Sequence, residues 1–491
     1  MGKRPHIVIF NPDQWRGDVL GHMGNAAAVT PTLDQWIETD AVSFRQAYCQ
    51  NPVCTPSRCS FMTGWYPHVR GHRTMFYMLQ PDEPMLLKTL KDDGYFVWWG
   101  GKNDVVPAQN GFAAYCDVKY RPDPPPLPFY GGIPEAVWRG APGSDTYYSF
   151  YVGRVAKDPT EPYYRDHDWS MVLGAIDLIK HAPPDRPLCI YLPLLYPHPP
   201  YGVEDPWYSM IDRSRLPQRI PAPEDWRDKP AILKGIYERQ GLQGWTEGRW
   251  TELRATYYGM CARVDYQFKL LLDALRGAGI YDDTAVFFFS DHGDFTGDYG
   301  LVEKTQNTFE DCLARVPLLI KPPASVALKP GIRDALVELI DVPATIEELA
   351  GVPVRHTHFG RSLLPLLSDD TGQGRDAVFC EGGRNHGETH AMELESASNQ
   401  VPTGLYWPRL SLQSREGPEH SKAVMCRTRD YKYVRRLYET DELYDLRTDP
   451  EETDNRIADP ALAGVLSTLK ERLLTFYQET CDVVSVKTDK R

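Results

Sequence analysis

Residues 7–14 read IVIFNPDQ. The first four of them form a wholly apolar run, which is followed at once by polar residues. An apolar run this short predicts a strand that is covered on both faces, as in a parallel sheet. Similar runs occur further along the chain as YFVWW, LCIYLPLL, AVFFF and VPLLI, at 95–99, 188–195, 285–289 and 316–320. The sequence therefore predicts several buried strands, each with a polar stretch at its carboxyl end.

Helical patterns lie between these runs, at Met85 to Lys91, Trp169 to Lys180 and Trp250 to Arg276. The last of them is stopped by Gly277 and Gly279. Strands that alternate with helices predict an α/β fold, with a mostly parallel central sheet sandwiched by helices. In such a fold chemistry collects at the carboxyl ends of the strands.

The pattern changes after about residue 370. Four strand-like stretches, AVFCE, AVMCRT, YKYVRRL and ELYDL, are followed by an amphipathic helix around Ala461 to Tyr477. They predict a small C-terminal α+β domain, with a four-stranded antiparallel sheet and one helix. We expect an α/β domain over 1–370 and this α+β domain over 371–491.

The composition excludes several classes of protein. The chain has 491 residues, 42% of them hydrophobic and 25% charged, which is typical of a globular protein and not of a disordered one. Its net charge of −13 argues against nucleic acid or an anionic membrane as a partner. We found neither a signal-peptide core nor the roughly 18 apolar residues of a membrane span, so we expect a cytoplasmic protein. The sequence does not indicate the oligomeric state.

The ten cysteines are scattered and form no Cys-x-x-Cys pair. This usage is typical of reduced, buried thiols in a reducing compartment. We expect nine buried thiols, and we expect Cys54 alone to have another role.

Cys54 begins the strongest motif, Cys-x-Pro-Ser-Arg-x4-Thr-Gly, at residues 54–64. Its six fixed positions should arise by chance about once in 10⁵ chains of this length. The motif resembles the signature of the type I sulfatases, in the alkaline-phosphatase-like superfamily, in which this cysteine is oxidised to formylglycine. The resemblance implies a formylglycine-generating maturation enzyme as a partner.

A formylglycine hydrate carries two hydroxyls on one carbon, which explains its use in a sulfatase. One hydroxyl attacks the sulfur of a sulfate ester, and the other expels sulfate when the carbonyl re-forms. Arg58 lies four residues after Cys54, so we expect it one helical turn away, where its permanent charge could hold the hydrate oxygens.

Two polar stretches that follow predicted strands resemble the metal-binding segments of the same family. The resemblance implies that Asp13, Gln14, Asp291 and His292, together with the modified Cys54, bind one divalent cation. Oxygen ligands and one imidazole favour a hard or borderline ion. We expect Ca²⁺, with Mg²⁺ and Mn²⁺ as alternatives, to polarise the sulfate oxygens and favour the ionised hydrate.

Three further residues match family motifs and could supply charge and a proton. Lys102 resembles the lysine of the Gly-Lys-x-His stretch, His198 the histidine of a Pro-His motif, and Lys304 the lysine after the Asp-His-Gly turn. We assign Lys102 to the sulfate oxygens and formylglycine. We assign His198 and Lys304 to the leaving-group oxygen.

Two positions depart from the sulfatase pattern. The usual Asp-Asp pair is replaced by Asp13-Gln14, which resembles the phosphonate monoester hydrolases, close relatives that do not typically keep a lysine at the position of Lys102. In addition, Asp104 stands where the histidine of Gly-Lys-x-His would fall. That histidine is thought to be the base of the elimination step, so we expect Asp104, or another group such as His72, to replace it.

Three functions therefore remain open. The first, which we expect, is a sulfatase that hydrolyses a sulfate monoester to an alcohol and inorganic sulfate. The second is a phosphonate monoester or phosphodiester hydrolase on the same scaffold. The third is a catalytically silent binding protein, which requires that Cys54 stays unmodified.

The sequence specifies the substrate only broadly, as a small-molecule or glycan sulfate ester. Arg384, His386 and His390 lie in a polar loop that could reach over the cleft and bind a carboxylate or sugar hydroxyls, or could simply be solvated. The long segments 121–134 and 199–250 are candidate walls of the cleft.

Overall fold

The computed structural model describes residues 4–128, 132–181, 183, 185–396, 401–484 and 486. Its strands are β1 His6–Asp13, β2 Val42–Tyr48, β3 Phe96–Trp99, β4 Val118–Lys119, β5 Tyr151–Val155, β6 Leu188–Pro197, β7 Tyr201–Glu204, β8 Thr284–Phe289, β9 Leu318–Lys321, β10 Gly331–Glu338, β11 Val378–Gly382, β12 Ala423–Arg427, β13 Tyr431–Arg436 and β14 Glu442–Asp445. Its α-helices are α1 Pro31–Thr39, α2 Cys54–Thr63, α3 Pro67–Arg70, α4 Leu86–Asp92, α5 Glu135–Arg139, α6 His167–Lys180, α7 Ala231–Gln240, α8 Glu247–Gly277, α9 Asp311–Ala314, α10 Asp341–Ala350, α11 Leu364–Ser368, α12 Glu393–Ser396, α13 Trp407–Leu410 and α14 Ala463–Thr480.

The described residues form a mixed eight-stranded central sheet, in the order β10-β2-β9-β8-β1-β6-β3-β4. Strand β9 is antiparallel to both of its neighbours, β2 and β8, and the other pairings are parallel. Each predicted apolar run lies in or overlaps one of these strands. The predicted α/β fold with a mostly parallel sheet is confirmed.

Helices cover both faces of the sheet because successive side chains of the buried strands point in opposite directions. In β1, Ile7 and Ile9 pack in a core shared with α2, α4 and α10. Val8 and Phe10 pack in a second core with α1, α6 and α8. The wholly apolar run is therefore a strand buried on both faces, as predicted.

A separate antiparallel sheet, in the order β11-β12-β13-β14, lies in the C-terminal part that the structure describes. One of its faces packs on α14 through Phe379, Val424 and Phe476. Its other face, through Cys380 and Met425, joins the core of the central sheet. The predicted α+β architecture is confirmed, and the domain boundary at residue 370 stays a prediction.

The ten cysteines all lie in the described ranges and are all free thiols. The expectation that every one except Cys54 is a buried thiol was wrong for Cys481, which is exposed. Cys481 caps the end of α14, where the chain leaves the packed face of the helix.

No helix in the described ranges combines the length and the apolar composition that a membrane span requires. The cytoplasmic location stays a prediction.

Candidate active site

The predicted site residues meet at the carboxyl edge of the central sheet. Strands β1, β3, β6 and β8 run parallel to one another, so their carboxyl ends share this edge. The residues that the strands place there are Asp13 and Gln14 at the end of β1, Lys102 after β3, His198 after β6, and Asp291 and His292 after β8. Helix α2 begins beside them at Cys54, and Arg58 lies one turn later, as predicted.

Cys54 lies at the centre of the site and is 1% exposed. Its Sγ is 3.3 Å from His292 Nε2 and 3.7 Å from Asp13 Oδ1. Lys102 Nζ is 3.4 Å from the same sulfur. Candidate ligand atoms of Asp13, Cys54, Asp291 and His292 all lie within 4.8 Å of one another. The structure therefore gathers these four predicted metal-binding residues around one point.

The tautomer of His292 suits a metal ligand. Its Nδ1 donates a hydrogen bond to the Gly293 carbonyl (2.9 Å), so Nε2 is the ring nitrogen that could bind a metal. That atom faces Cys54 and lies 3.7 Å from Asp13 Oδ1. Fixing one ring nitrogen on a backbone carbonyl is how metal-binding histidines are commonly oriented. The buried carboxylate oxygens and this imidazole therefore fit a hard or borderline divalent cation.

Arg58 holds the carboxylates of the site in place. Its Nε donates to Asp291 Oδ2 and its Nη2 to Asp13 Oδ2, both at 2.9 Å. Its Nη1 donates to Asn11 Oδ1 at 2.8 Å and to Tyr191 OH at 3.1 Å. The Arg58 guanidinium is fully buried, so its charge stabilises the two carboxylates and fixes their free oxygens.

Asp13 is an anion at the site. Burial by itself would raise the pKa of its carboxyl, but Lys102 and Arg58 outweigh that effect and hold the pKa well below its usual value. Lys102 Nζ lies 2.6 Å from Asp13 Oδ2 and 2.7 Å from Asp104 Oδ2. The Lys102 side chain is 17% exposed, so this cation lies between the fully buried Asp13 carboxylate and the less buried Asp104.

A glycine allows Lys102 to reach this position. Gly101 has a φ of 114°, and a Cβ on it would lie 2.1 Å from the Pro193 carbonyl oxygen of β6. Lys102 N donates to that same oxygen at 3.0 Å. Only glycine fits here, because any side chain would push the loop off β6.

Gln14 is held in a backbone conformation that is uncommon for a residue with a side chain, with a φ of 68°. Its backbone N donates to Asp291 Oδ1 (3.1 Å), and Tyr257 OH donates to its carbonyl (2.7 Å). Its amide Nε2 donates to Asp294 Oδ2 at 2.5 Å, and Lys304 Nζ donates to its Oε1 at 2.7 Å. The Gln14 amide thus links Lys304 to Asp294.

Lys304 and His198 form a hydrogen-bonded pair in which the donor can be assigned. Lys304 Nζ lies 2.8 Å from His198 Nε2, and His198 Nδ1 donates to the Pro199 carbonyl at 2.6 Å. Burial and the Lys304 cation lower the pKa of His198 to about 4, so its imidazole is neutral near pH 7. Burial by itself would lower the pKa of Lys304. The nearby Cys54 and Glu303 outweigh that effect and raise the pKa above its usual value. Lys304 is therefore the proton donor of this pair.

Sequence reasoning missed Asp294, which directly follows the Asp-His-Gly turn. Asp294 is buried and accepts hydrogen bonds from Tyr201 OH (2.8 Å) and from the Gln14 amide. Burial raises the pKa of its carboxyl to about 6. Its position in the chain, one residue beyond the recognised motif, was the signal that could have identified it.

The two candidates for the elimination base, Asp104 and His72, differ in whether they contact the residues of the site. Asp104 contacts Lys102, which contacts Cys54. His72 has its Nε2 3.0 Å from Glu83 Oε2 and its Nδ1 3.1 Å from the Tyr77 carbonyl. Both ring nitrogens of His72 are therefore engaged by groups other than the site residues.

The polar loop of the C-terminal sheet has partners of its own. Arg384 is 5% exposed, and its Nη1 lies 3.3 Å from Glu416. His386 is exposed and stacks on Tyr438, with ring centroids 3.7 Å apart, and His390 is also exposed. Direct binding of substrate by these three residues stays a prediction.

The sequence comparisons, together with the fold, place the chain among hydrolases of the alkaline-phosphatase-like superfamily. The profile of the sulfatase family matches residues 5–352, and the chain belongs to the sulfatase family. It is a sulfuric ester hydrolase, as predicted.

Curated relatives include a multifunctional alkaline phosphatase superfamily protein, PehA, from Trinickia caryophylli. It is 26% identical, and the alignment covers 96% of this chain and 95% of that protein. Human arylsulfatase K is 24% identical over 75% of this chain and 67% of its own length.

Among solved structures, the phosphonate monoester hydrolase of Agrobacterium radiobacter superimposes with a TM-score of 0.72. It is 23% identical, with 99% of this chain and 100% of that chain covered. A 2-O GAG sulfatase superimposes with a TM-score of 0.70 at 20% identity, with 97% and 93% covered. These similarities support the fold.

Proposed function

We propose that the chain hydrolyses a sulfate monoester to an alcohol and inorganic sulfate, with a formylglycine made from Cys54 as nucleophile. One observation carries this proposal: the Cys54 side chain lies where Asp13, His292 and the Lys102 cation converge. An anionic ester needs positive charge near its reacting atom, and the net charge of −13 does not supply it. Lys102 and Lys304, together with a bound cation, would supply it locally.

The metal would be held by Asp13, Asp291, His292 and the modified Cys54, with Ca²⁺ as our first choice. A bound divalent cation would polarise the sulfate oxygens and favour the ionised formylglycine hydrate. Gln14 completes the ligand set predicted from the family. In the described structure its amide oxygen instead accepts a hydrogen bond from Lys304, so a metal would compete with Lys304 for it.

Each cation then has a separate task. Lys102 Nζ lies 3.4 Å from Cys54 Sγ and would hold both the nucleophile and a sulfate oxygen. Lys304 lies beside His198 and would donate a proton to the leaving-group oxygen. The neutral Nε2 of His198 would accept a hydrogen bond from the Lys304 ammonium and so orient it.

Asp104 is our choice for the base of the elimination step. Its Oδ2 is 2.7 Å from Lys102 Nζ, so Lys102 could give a proton to Asp104 in the same step in which it takes the proton of the remaining hydroxyl of the hydrate. The step re-forms the formylglycine carbonyl and releases sulfate. If Asp104→Asn left turnover and sulfate release unchanged, Asp104 would be excluded as the base.

A second candidate is hydrolysis of phosphonate monoesters or phosphodiesters on the same scaffold. The specific observation in its favour is Gln14, which lowers the negative charge beside the metal by one relative to an Asp-Asp pair. The nearly full-length match to PehA and the similarity to a phosphonate monoester hydrolase structure are consistent with it. The presence of Lys102 favours sulfate.

Two measurements test the proposal. Mass spectrometry of the Cys54 peptide from the native host should show formylglycine, which requires a formylglycine-generating maturation enzyme as partner; an unmodified cysteine would favour a silent binding protein. The converted protein should then have a higher kcat/KM for an aryl sulfate than for the matched phosphodiester and phosphonate monoester. A strong preference for either phosphorus ester would overturn the proposal of a sulfatase.

Cys54→Ala should abolish the activity, because it removes the residue that becomes the nucleophile. Cys59→Ala, which removes a neighbouring buried thiol outside the site, is its control.

A further inference from the structure

A cavity of about 380 Å³ opens directly beside His198. Most of its lining is apolar and comes from three places in the chain: the segment around α5, the end of β6 and the loop before α13. The apolar lining residues are Ile133, Trp138, Leu195, Pro199, Pro200 and Leu405. A cleft of this size and composition is typical of a small-molecule site.

The wall that carries Leu405 comes from the C-terminal part of the chain and is fixed to the other walls. Arg139 Nη1, on α5, donates to the Thr403 carbonyl at 2.8 Å. Tyr148 OH donates to the Pro402 carbonyl at 2.7 Å. These bonds hold the loop before α13 across the cavity, so Leu405 is a built part of its lining.

The charges around the cavity do not suit a second anionic group. Of the described residues that line it, only His198 and Glu135 are ionisable. His198 is neutral near pH 7, because burial and Lys304 lower its pKa to about 4. Glu135 forms an ion pair with Arg139, whose guanidinium stacks 3.9 Å from the centroid of the Tyr147 ring. The part of the lining that the structure describes therefore presents a carboxylate and apolar surface, without an unpaired cation.

We propose that this cavity binds the leaving group of the substrate, and that this leaving group is an uncharged aromatic alcohol. The inference rests on the proposed function, because His198 both lines the cavity and pairs with Lys304 at the leaving-group oxygen. An aryl ring would bury apolar surface against Leu405 and contact Trp138. A carboxylated or further sulfated glycan would bring a second anion beside the Glu135 carboxylate, and the described lining residues include no lysine or arginine to pair with that anion.

Binding tests the inference without requiring turnover. We would titrate metal-supplied Cys54→Ala protein, by calorimetry, with 2-naphthyl sulfate and with 4-carboxyphenyl sulfate, whose phenols have nearly equal acidity. The expected result is at least about tenfold tighter binding of the naphthyl ester, from the burial of one additional ring and the absence of a second anion beside Glu135. Equal affinities, or tighter binding of the carboxylated ester, would overturn the inference.

Three variants locate the effect in the cavity. Trp138→Asp should lower kcat/KM for 2-naphthyl sulfate roughly tenfold or more. Val137→Asp adds the same charge to the same helix on a side chain that is 70% exposed, and should leave kcat/KM unchanged. Leu405→Lys should raise kcat/KM for 4-carboxyphenyl sulfate relative to the naphthyl ester, a gain that a merely misfolded variant cannot produce.

The two proposals fail in different ways. If converted wild-type protein cleaves neither ester but cleaves a phosphonate monoester, the sulfatase proposal fails, and the binding comparison still decides the nature of the cavity. If the protein cleaves N-acetylglucosamine 6-sulfate faster than 2-naphthyl sulfate, the sulfatase proposal stands and the aromatic leaving group is overturned.

Discussion

Two clusters of buried charge can be compared in this molecule. The first, which we call the catalytic cluster after its proposed role, consists of Asp13, Cys54, Arg58, Lys102, Asp291 and His292. The interface network consists of Asp311, Arg427, Lys432 and Glu452, and lies where the C-terminal sheet packs on the rest of the protein. All the interface carboxylates meet a cation: Lys432 Nζ bonds to Asp311 Oδ1 at 2.7 Å and to Glu452, and Arg427 Nη2 bonds to Asp311 Oδ2 at 3.3 Å.

The catalytic cluster differs because acceptor atoms face one another in it. Asp13 Oδ1 and His292 Nε2 are 3.7 Å apart, and both lie near Cys54 Sγ. Bringing lone pairs together in a buried place is unfavourable unless something positive lies between them. Paired donors and acceptors therefore indicate a structural network, whereas converging acceptors indicate a place for a cation and a reacting group.

Asp13→Asn should give the largest loss of function. The change removes a ligand charge and leaves Lys102 without one of its anions, so we expect metal to be lost and kcat to fall by at least about 10³-fold. Metal content and kcat would be measured together. Asp334→Asn, which alters an exposed carboxylate, is the control. A variant that retained full metal and full activity would refute the distinction between the two clusters.

Lys432→Met should instead reduce stability. It leaves Asp311 and Glu452 without the cation between them, and breaking a buried ion pair from one side costs about 3–5 kcal/mol. Urea unfolding would measure the loss, while kcat of the folded protein at 25 °C should stay within about twofold. A large fall in kcat with unchanged stability would show that this network also belongs to the catalytic machinery.

Asp294→Asn should have a smaller effect that passes through Gln14. The asparagine amide keeps only one acceptor oxygen, so it cannot accept from both the Gln14 amide and Thr296 N, and the Gln14 amide that accepts from Lys304 is held less firmly. We expect kcat to fall about 10- to 100-fold with little change in KM. Thr296→Val removes a different hydrogen bond to Asp294 and keeps the contact with Gln14, so its kcat should change far less.

Lys304→Met should change the titration of His198. Burial and, after it, the Lys304 cation hold the pKa of His198 at about 4. Loss of a neighbouring positive charge favours the protonated imidazole, so the pKa should rise toward the ordinary value of about 6.5, with burial keeping it lower. NMR titration of the imidazole would measure it. Lys304→Arg keeps the charge and should keep the pKa low; an unchanged pKa in Lys304→Met would contradict the pairing.

The sequence predicted the parts of the fold that depend on local pattern. Apolar runs located β1, β3, β6, β8 and β9, because strands buried on both faces carry few polar residues. Strand β2 was missed because it reads VSFRQAY, and β10 was missed because it forms an edge of the sheet. In both strands polar side chains such as Arg45 and Asp334 pair at the surface and hide the apolar pattern.

For the site, the motifs predicted which residues meet and not what each one touches. The family pattern named Arg58 and Gln14, but their partners lie far away along the chain. The hydrogen bond between Gln14 and Asp294 joins residues 280 positions apart, and no local signal specifies it. The ion pair between Asp104 and Lys102 was easier to anticipate, because both residues lie in one short loop.

The bridge that Arg58 makes between Asp13 and Asp291 has a consequence for the order in which the protein is made. During synthesis Asp13 and the whole of the Cys54 motif leave the ribosome long before residue 291 exists. Strand β1 must likewise wait for β6 and β8, its neighbours in the sheet. Contacts this distant in sequence form late. The nascent chain therefore displays its most reactive segment before the site that will enclose it has been made.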